Sequence, residues 1–441
     1  MNIRNISSNY SKKRIFLLSI PVFLSNLAIP LVGIIDTGLM GNLGEVKYLA
    51  ATSISTSVMT MLIWSFGFLR MGTVGVVANL YSKSDYREIN RTLLRNFLLA
   101  IFISIIIILF KNNLIQLIES YFISSLETQE LIKKYISIRV FSIPAEFAIY
   151  ILVGFYLGIQ KTNISSLIVI ILSTVNIIFS SFFVLSLNLN IVGVVLGTLI
   201  SSYCTAIIFI FYTYKFISKN FQITPSFNKI IVPSKLVKLL TINIDIFIRT
   251  ILLTFSFLWF TYLGSKIGED ILAANAILIQ FIVFASFFLD AYAYSSEGIV
   301  GYAVGRKNLK AFTSTVNNSI QLSFFTSLFI SAIFIIFFKD MINIITDIDL
   351  IRFISYKYFF WIIIIPPVAS LCYQLDGIFI GASQTKDLRN AMIIAVIFYI
   401  IISIYSTKYF NNHGLWLSLF IFMILRSLTL NLFLKKITKR L

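Results

Sequence analysis

The chain is poor in charge, poorer in acid and almost without histidine. Of its 441 residues 12% are charged and 58% are hydrophobic, with 18 acids, two cysteines and one histidine. One histidine, His413, and two distant cysteines, Cys204 and Cys372, exclude a zinc-type site, which needs three or four nitrogen or sulfur ligands. Both cysteines lie in apolar runs and read as small buried hydrophobes rather than a disulfide. No HExxH, Ser/His pair or set of metal ligands is present, so the chain reads as neither an enzyme nor a cofactor carrier. So little charge cannot clothe a soluble surface, and bilayer lipid is the natural solvent. The first apolar run is too long for a cleavable signal peptide and lacks a small-residue cleavage site.

What the chain does have is apolar runs. Twelve are legible, at about 15–40, 50–80, 92–110, 131–157, 164–186, 191–215, 236–264, 271–303, 313–338, 352–381, 387–407 and 413–434. Irregular backbone facing lipid would strand its polar groups, so each run is expected to be a helix. The net charge of +18 is unevenly placed. Lysine and arginine gather at the N-terminus (Arg4, Lys12, Lys13, Arg14), on the even-numbered connections and at the C-terminus (Lys435, Lys436, Lys439, Arg440). That bias predicts a multi-pass protein of the inner (plasma) membrane with both termini in the cytoplasm. It assigns the basic charge to topology and to contact with anionic membrane lipids, not to nucleic acid.

The chain is also written twice. Gly154, Gly158 and Thr162 return as Gly377, Gly381 and Thr385; Leu49-Ala50-Ala51 returns as Leu272-Ala273-Ala274; Gly75 returns as Gly298 and Pro144 as Pro367. Every pair is separated by 223 residues. The expected architecture is an all-α integral membrane protein of twelve transmembrane helices in two parallel six-helix repeats. Residues 1–218 form the N-terminal lobe, 219–235 a basic cytoplasmic linker carrying Pro225 and Pro233, and 236–441 the C-terminal lobe. Parallel repeats of this kind belong to secondary transporters, with the substrate route between the halves. The pairs Gly154/Gly158, Gly193/Gly197, Gly301/Gly305 and Gly377/Gly381 let helices pack closely.

A charge at mid-bilayer costs at least about 2.5–3.5 kcal/mol, so acids inside the runs are the candidate functional residues. They are Asp36, Glu146, Asp245, Asp290, Glu297 and Asp376. At a rise of about 1.5 Å per residue, Arg70 and Glu146 come to similar depth and are expected to form a first-lobe ion pair. Arg249 is expected to contact Asp245 or Asp290, while Asp290 and Glu297, seven apart, share a helix face. Asp376 is expected to cap its helix or to pair with Lys386 or Arg389. These groups fit either a neutralising network that fixes packing or direct contacts with substrate or ion. Asp36 differs: it falls in the outer half of the membrane, with Arg139 the only basic residue near its level. Asn176, Ser180 and Thr198 reach about the same depth. A carboxylate so placed is a candidate to carry a proton, and a carboxylate with amide and hydroxyl oxygens is also suitable hard-cation chemistry. Pro21 and Pro30 weaken the first helix beside it.

Several stretches resemble one family. Leu31-Val-Gly-Ile-Ile-Asp36-Thr-Gly-Leu-Met-Gly41, Phe68-Leu-Arg-Met-Gly-Thr73, Asp245-Ile-Phe-Ile-Arg249, Leu272-Ala-Ala-Asn275, Asp290-Ala-Tyr-Ala-Tyr294-Ser-Ser-Glu297 and Asp376-Gly-Ile-Phe-Ile-Gly381 are similar to the multidrug and toxic compound extrusion (MATE) family, DinF-like branch. The resemblance covers essentially the whole chain. It implies a V-shaped pair of six-helix lobes and an antiporter that exports small organic, often cationic or amphipathic compounds in exchange for protons or sodium. It implies a first-lobe cation site at Asp36, Asn176, position 180 and Thr198, with bending of the first helix near Pro21. It also places Asp245, Arg249, Asn275, Asp290, Tyr294 and Glu297 in a second-lobe polar network or substrate site. One departure matters: the helix-5 aspartate of that pattern is Ser180 here, which leaves Asp36 as the lone protonatable group and favours protons over sodium. The partners implied are a small-molecule substrate and membrane lipids, with a monomeric chain. Alternatives on the same fold are a flippase for lipid-like substrates and an exporter of organic-anion metabolites.

Overall fold

The computed structural model describes residues 10–43, 45–121, 125–222 and 230–441. Arg4 and Pro225, named above, lie outside the described residues. The described chain is helical. In order, α1 is Lys12–Gly41, α2 Val46–Ser65, α3 Phe68–Ser82, α4 Tyr86–Leu109, α5 Lys111–Tyr121, α6 Leu126–Arg139, α7 Ile143–Gly158, α8 Thr162–Ser181, α9 Asn190–Phe221, α10 Pro233–Ile267, α11 Glu269–Gly305, α12 Leu309–Ile345, α13 Asp349–Lys357, α14 Phe359–Gly381 and α15 Thr385–Thr438. Many outward side chains are apolar, such as Phe329 at 67% and Ile336 at 68% exposed. A surface of that kind suits lipid rather than water.

Among the described residues, ten helices are long and apolar enough to cross a bilayer. The count of twelve differs from this at two places. α10 carries Lys235, Lys238, Asp245, Arg249 and Lys266 and is not among the ten. α15 runs 54 residues, far beyond one bilayer at about 1.5 Å per residue, and its backbone breaks at Asn411 (φ 49°, ψ −132°). The chain reverses there, because the Ser406 hydroxyl donates to the Gly414 carbonyl at 2.8 Å. Residues eight apart in an unbroken helix would stand about 12 Å apart. Gly414 is required at this point: a Cβ would collide with the Ser406 carbonyl.

Local structure repeats with the sequence. Left-handed residues Ser84, Gln160 and Asn188 recur 223 positions later as Lys307, Ser383 and Asn411. Asp85 caps α4 by accepting from the Glu88 amide at 3.1 Å, and Asn308 caps α12 by accepting from the Ala311 amide at 2.9 Å. The glycine approaches recur too. A Cβ on Gly154 would meet the Arg70 carbonyl and one on Gly158 that of Val74; one on Gly377 would meet the Ala293 carbonyl and one on Gly381 that of Glu297. Thus α7 lies against α3 in the same register as α14 against α11.

The chain divides into two compact units, Leu24–Leu240, and residues up to Phe23 with Thr241–Leu441. The start of α1 therefore belongs with the second unit rather than with a lobe of residues 1–218. The cause is burial: Ile15 packs with Tyr292 and Ile299, supported by Tyr10, Leu18 and Leu322. The start of α10 stays with the first unit. Arg95 donates to the Ile230 carbonyl at 2.7 Å and pairs with Glu88 at 2.7 Å, and Lys235 approaches Glu88 at 3.6 Å. The core of the second unit is aromatic and aliphatic, built on Phe260, Phe281, Phe334, Trp416 and Phe422.

Candidate functional site

In the first unit, α1, α6, α8 and α9 bring five polar side chains together. Asp36 on α1 is 9% exposed, Asn176 4% and Ser180 0%. The Asn176 amide donates to the Thr198 hydroxyl at 3.0 Å, and Thr198 donates back to the Val194 carbonyl at 3.2 Å. The Ser180 hydroxyl lies 3.4 Å from both the Asn176 Oδ1 and the Val194 carbonyl. It also lies beside the Asp36 carboxylate, with Arg139 the charge felt there. One hydroxyl proton thus has two acceptors, both at the limit of bonding distance, with the Asp36 carboxylate close by as an alternative. The Oδ1 of Asp36 is buried with no partner among the described residues. Gly197 allows this packing, since a Cβ there would strike the Ser180 backbone. A π-helical turn, Phe182–Ser186, follows at once and widens the end of α8. The structure therefore brings together Asp36, Asn176, Ser180 and Thr198, which depth and the family resemblance group in the sequence.

Glu146 does not pair with Arg70. It is held by Arg139, and Ser142 donates to it at 2.8 Å. Arg139 and Glu146 are seven residues apart, two helical turns, and the short 3-10 segment Val140–Ser142 keeps them on one face. Depth alone put Arg70 level with Glu146, but rise along a helix says nothing about azimuth. Arg70 is buried on α3, where its backbone meets Gly154. Sequence reasoning also missed Tyr135, one turn before Arg139 on α6, which shares a 3.2 Å hydrogen bond with Thr56 and lies in electrostatic reach of Asp36. The four-residue spacing to Arg139 was the available signal. α1 runs as unbroken helix through Pro21 and Pro30.

The second unit is wired differently from expectation. Arg249 contacts neither Asp245 nor Asp290 but Asp376, which Arg426 also holds at 2.6 Å. Asp376 is 5% exposed, so it is a buried anchor between two arginines rather than a helix-end acid paired with Lys386 or Arg389. Arg389 instead takes Asp245 at 2.6 Å, with Thr385 donating to the same carboxylate at 3.0 Å. Asp290 is in electrostatic reach of Cys372 and Tyr373, beside the Asp376 cluster. Glu297 is buried and its carbonyl meets Gly381, while Tyr294 is half-buried on the same helix. Asn275 joins none of these acids. It exchanges two hydrogen bonds with Asn412, at 2.7 and 3.0 Å, and accepts from the Trp416 indole at 2.8 Å. That trio fastens the reversal at Asn411. His413 lies there too, accepting from the Trp361 indole at 3.2 Å. Among the described residues no three His, Cys, Asp or Glu side chains are grouped to hold a metal.

The MatE family pattern matches residues 21–182 and 246–405, most of both halves. The chain belongs to the MATE family of multidrug and toxic compound extrusion transporters. It is 30% identical to DNA damage-inducible protein F of Escherichia coli (strain K12), over 95% of this chain and 91% of that protein, which places it in the DinF-like branch. Multidrug export protein MepA of Staphylococcus aureus (strain MSSA476) is 23% identical over 86% of this chain and 83% of its own length. A solved structure described as an outward-facing multidrug resistance MATE family transporter of the MOP superfamily matches the fold with a TM-score of 0.89, at 16% identity, covering 99% of this chain and 98% of that one. The protein is accordingly a multi-pass membrane transporter of this family.

Proposed function

We propose that this transporter is a proton-driven antiporter of the inner membrane, working as a monomer with both termini in the cytoplasm, that exports small cationic or amphipathic organic compounds by alternating access. Asp36 is its coupling residue, with Asn176, Ser180 and Thr198 as the hydrogen-bonding frame. The observation that carries this reading is the buried Asp36 carboxylate with its unpartnered Oδ1, beside a serine whose hydroxyl has a choice of acceptors. When Asp36 is ionised, Ser180 donates to it. When Asp36 is protonated, its own O–H donates, and Ser180 turns to Asn176 or Val194. Proton uptake thus reverses a short hydrogen-bond chain linking α1, α8 and α9. Helix α1, short of backbone donors at Pro21 and Pro30, is the element that answers by bending. Coupling then requires only that the proton prefer one of two states.

Arg139 is already engaged by Glu146, which keeps a cation close to Asp36 without neutralising it. The lack of a second acid at Ser180 supports protons over sodium, because a two-carboxylate site suits a hard cation better than one carboxylate with neutral oxygens. Purified protein in liposomes, given proton and sodium gradients separately, tests the reading. Export of an organic cation driven by the proton gradient alone is expected. Export driven only by sodium would reject proton coupling.

A further inference from the structure

We propose that the first unit carries its own proton path, a row of buried hydroxyls between α8 and α9 that leads from Asp36 to the start of α8. The path rests on Asp36 as the proton carrier and names the side chains that take the proton onward.

Packing fixes the register of the two helices. Asn176 bonds Thr198, and Ser180, one turn along α8, meets Val194, one turn along α9, so the pair runs antiparallel without slip. From Ser180, beside Asp36, the hydroxyls toward the start of α8 and the end of α9 are Thr198, the level pair Ser173 and Ser201, then Ser202, Thr205, Ser166 and Thr162. The last four are no more than 3% exposed. At a rise of about 1.5 Å per residue, no step along the row exceeds about 6 Å, and the whole row covers about 27 Å. Two hydroxyls bridged by one water stand about 5.5 Å apart, so each step is within reach. At the far end Tyr156 of α7 and Thr213 of α9 share a hydroxyl–hydroxyl bond of 2.9 Å. That is the end which the bias of lysine and arginine assigns to the cytoplasm.

Two observations set this row apart from a packing stripe. A buried helical hydroxyl ordinarily donates to a carbonyl one turn back, as Thr198 does to Val194 at 3.2 Å and Ser201 to Thr198 at 3.0 Å. The hydroxyl oxygens of Thr162, Ser166, Ser202 and Thr205 are buried and have no hydrogen-bond partner among the described residues. Each unmade bond costs about 1–3 kcal/mol, and four of them follow one another along a single row. The internal repeat supplies the control. Where the first half has Ser173, Ser201, Ser202 and Thr205, the second half builds the corresponding helix pair, the two arms of α15, with Val396, Ile424, Leu425 and Leu428. Thr162 and Ser166 are answered by Thr385 and Arg389, both engaged by Asp245, at 3.0 and 2.6 Å. Close packing of this helix pair therefore does not require free hydroxyls. The half that holds Asp36 is the half that has them.

The transfer is a relay. The proton leaves the Asp36 carboxyl and bonds to the next oxygen as that oxygen's own proton moves on to the following one, through hydroxyls and intervening waters. At the end Asp36 is a carboxylate, each hydroxyl again carries one proton, and one proton has reached the water beyond Thr162.

The test uses the full chain in liposomes, with ethidium as the organic cation and an enclosed pH-sensitive dye. The central variant is Ser202→Ala/Thr205→Val, which removes two hydroxyls at nearly constant shape. Proton movement coupled to ethidium export should fall at least about tenfold. Ethidium counterflow at equal pH, which moves no net proton, should keep its rate. Ser202→Thr/Thr205→Ser, which keeps both hydroxyls, should restore coupled transport. Full coupled transport by the Ala/Val variant, with transport abolished in Asp36→Asn, overturns the path and leaves Asp36 as the coupling residue. Equal loss of export and counterflow, with a lowered unfolding temperature, shows a packing role and also overturns the path. Full coupled transport by Asp36→Asn rejects the coupling reading itself and the path with it.

Discussion

Asp36 and Trp259 occupy corresponding places in the two halves, 223 residues apart, as do Ser180 and Ser403. In the first half an acid meets the serine; in the second, the Trp259 indole donates to Ser403 at 2.9 Å. The neighbours have diverged as well, with Asn176 and Thr198 answered by Tyr399 and Ile421. The reverse holds for the clamped acid: Asp376, Arg249 and Arg426 are answered by Val153, Asn26 and Tyr203. Backbone turns, caps and glycine approaches repeat, while the buried charges do not. The duplicated frame sets where two helices touch, and the residue placed there sets what the contact does. A carboxylate held by two arginines fastens a bundle, because changing its charge would strand both cations. A carboxylate set beside one hydroxyl with other acceptors within reach can change charge while its neighbours rearrange by one hydrogen bond.

The largest effect expected from this contrast is on stability. Asp376→Asn leaves Arg249 and Arg426 buried without their anion, which should cost about 3–5 kcal/mol and lower the unfolding temperature in detergent steeply. An unchanged unfolding temperature would mean that Asp376 is no fastener. Next comes the guard on the first site. Glu146→Gln frees Arg139 to turn to Asp36, where a charged hydrogen bond worth about 1.5–3 kcal/mol would hold the acid ionised. Proton-driven export should fall at least about tenfold with folding retained, measured in liposomes. Undiminished export would show that Arg139 does not reach Asp36.

The frame was legible in the sequence because repeats and apolar runs are written one residue at a time. The 223-residue offset located Gly154, Gly158, Gly377 and Gly381, and the structure puts each against a helix backbone. The polar partners were less legible. Depth along a helix follows from residue number, but azimuth depends on how helices turn toward one another. That is why Arg249 was assigned to Asp245 or Asp290 when Asp376 takes it, and why Arg70 was matched to Glu146 in place of Arg139. Arg139 and Glu146 were readable by their seven-residue spacing. Asn275 read as part of the acid network by sequence similarity alone, but its partners, Asn412 and Trp416, lie beyond a chain reversal that only the fold reveals. The start of α1 joined the second unit for a related reason: the face that buries Ile15 is on α11.

Two smaller effects sharpen the comparison. Ser180→Asp adds the second carboxylate beside Asp36 and should make export sensitive to a sodium gradient, read as a several-fold rise in sodium-driven uptake by inverted vesicles. No response to sodium would show that position 180 does not choose the ion. Trp259→Phe removes the counterpart bond in the second half. It should cost about 1 kcal/mol of stability and leave coupling intact, checked by thermal unfolding and by transport together. Loss of coupling in Trp259→Phe would mean that both halves carry the proton signal.

The central claim is that one buried acid, Asp36, couples the proton to export. Proton-driven export by Asp36→Asn in liposomes, compared with wild type at matched protein content and matched substrate binding, tests it most directly. The account predicts that gradient-driven export is abolished, with the unfolding temperature and substrate binding close to wild type. Full proton-driven export by Asp36→Asn would contradict it and move the coupling role to the Asp245, Asp290 and Glu297 acids of the second unit.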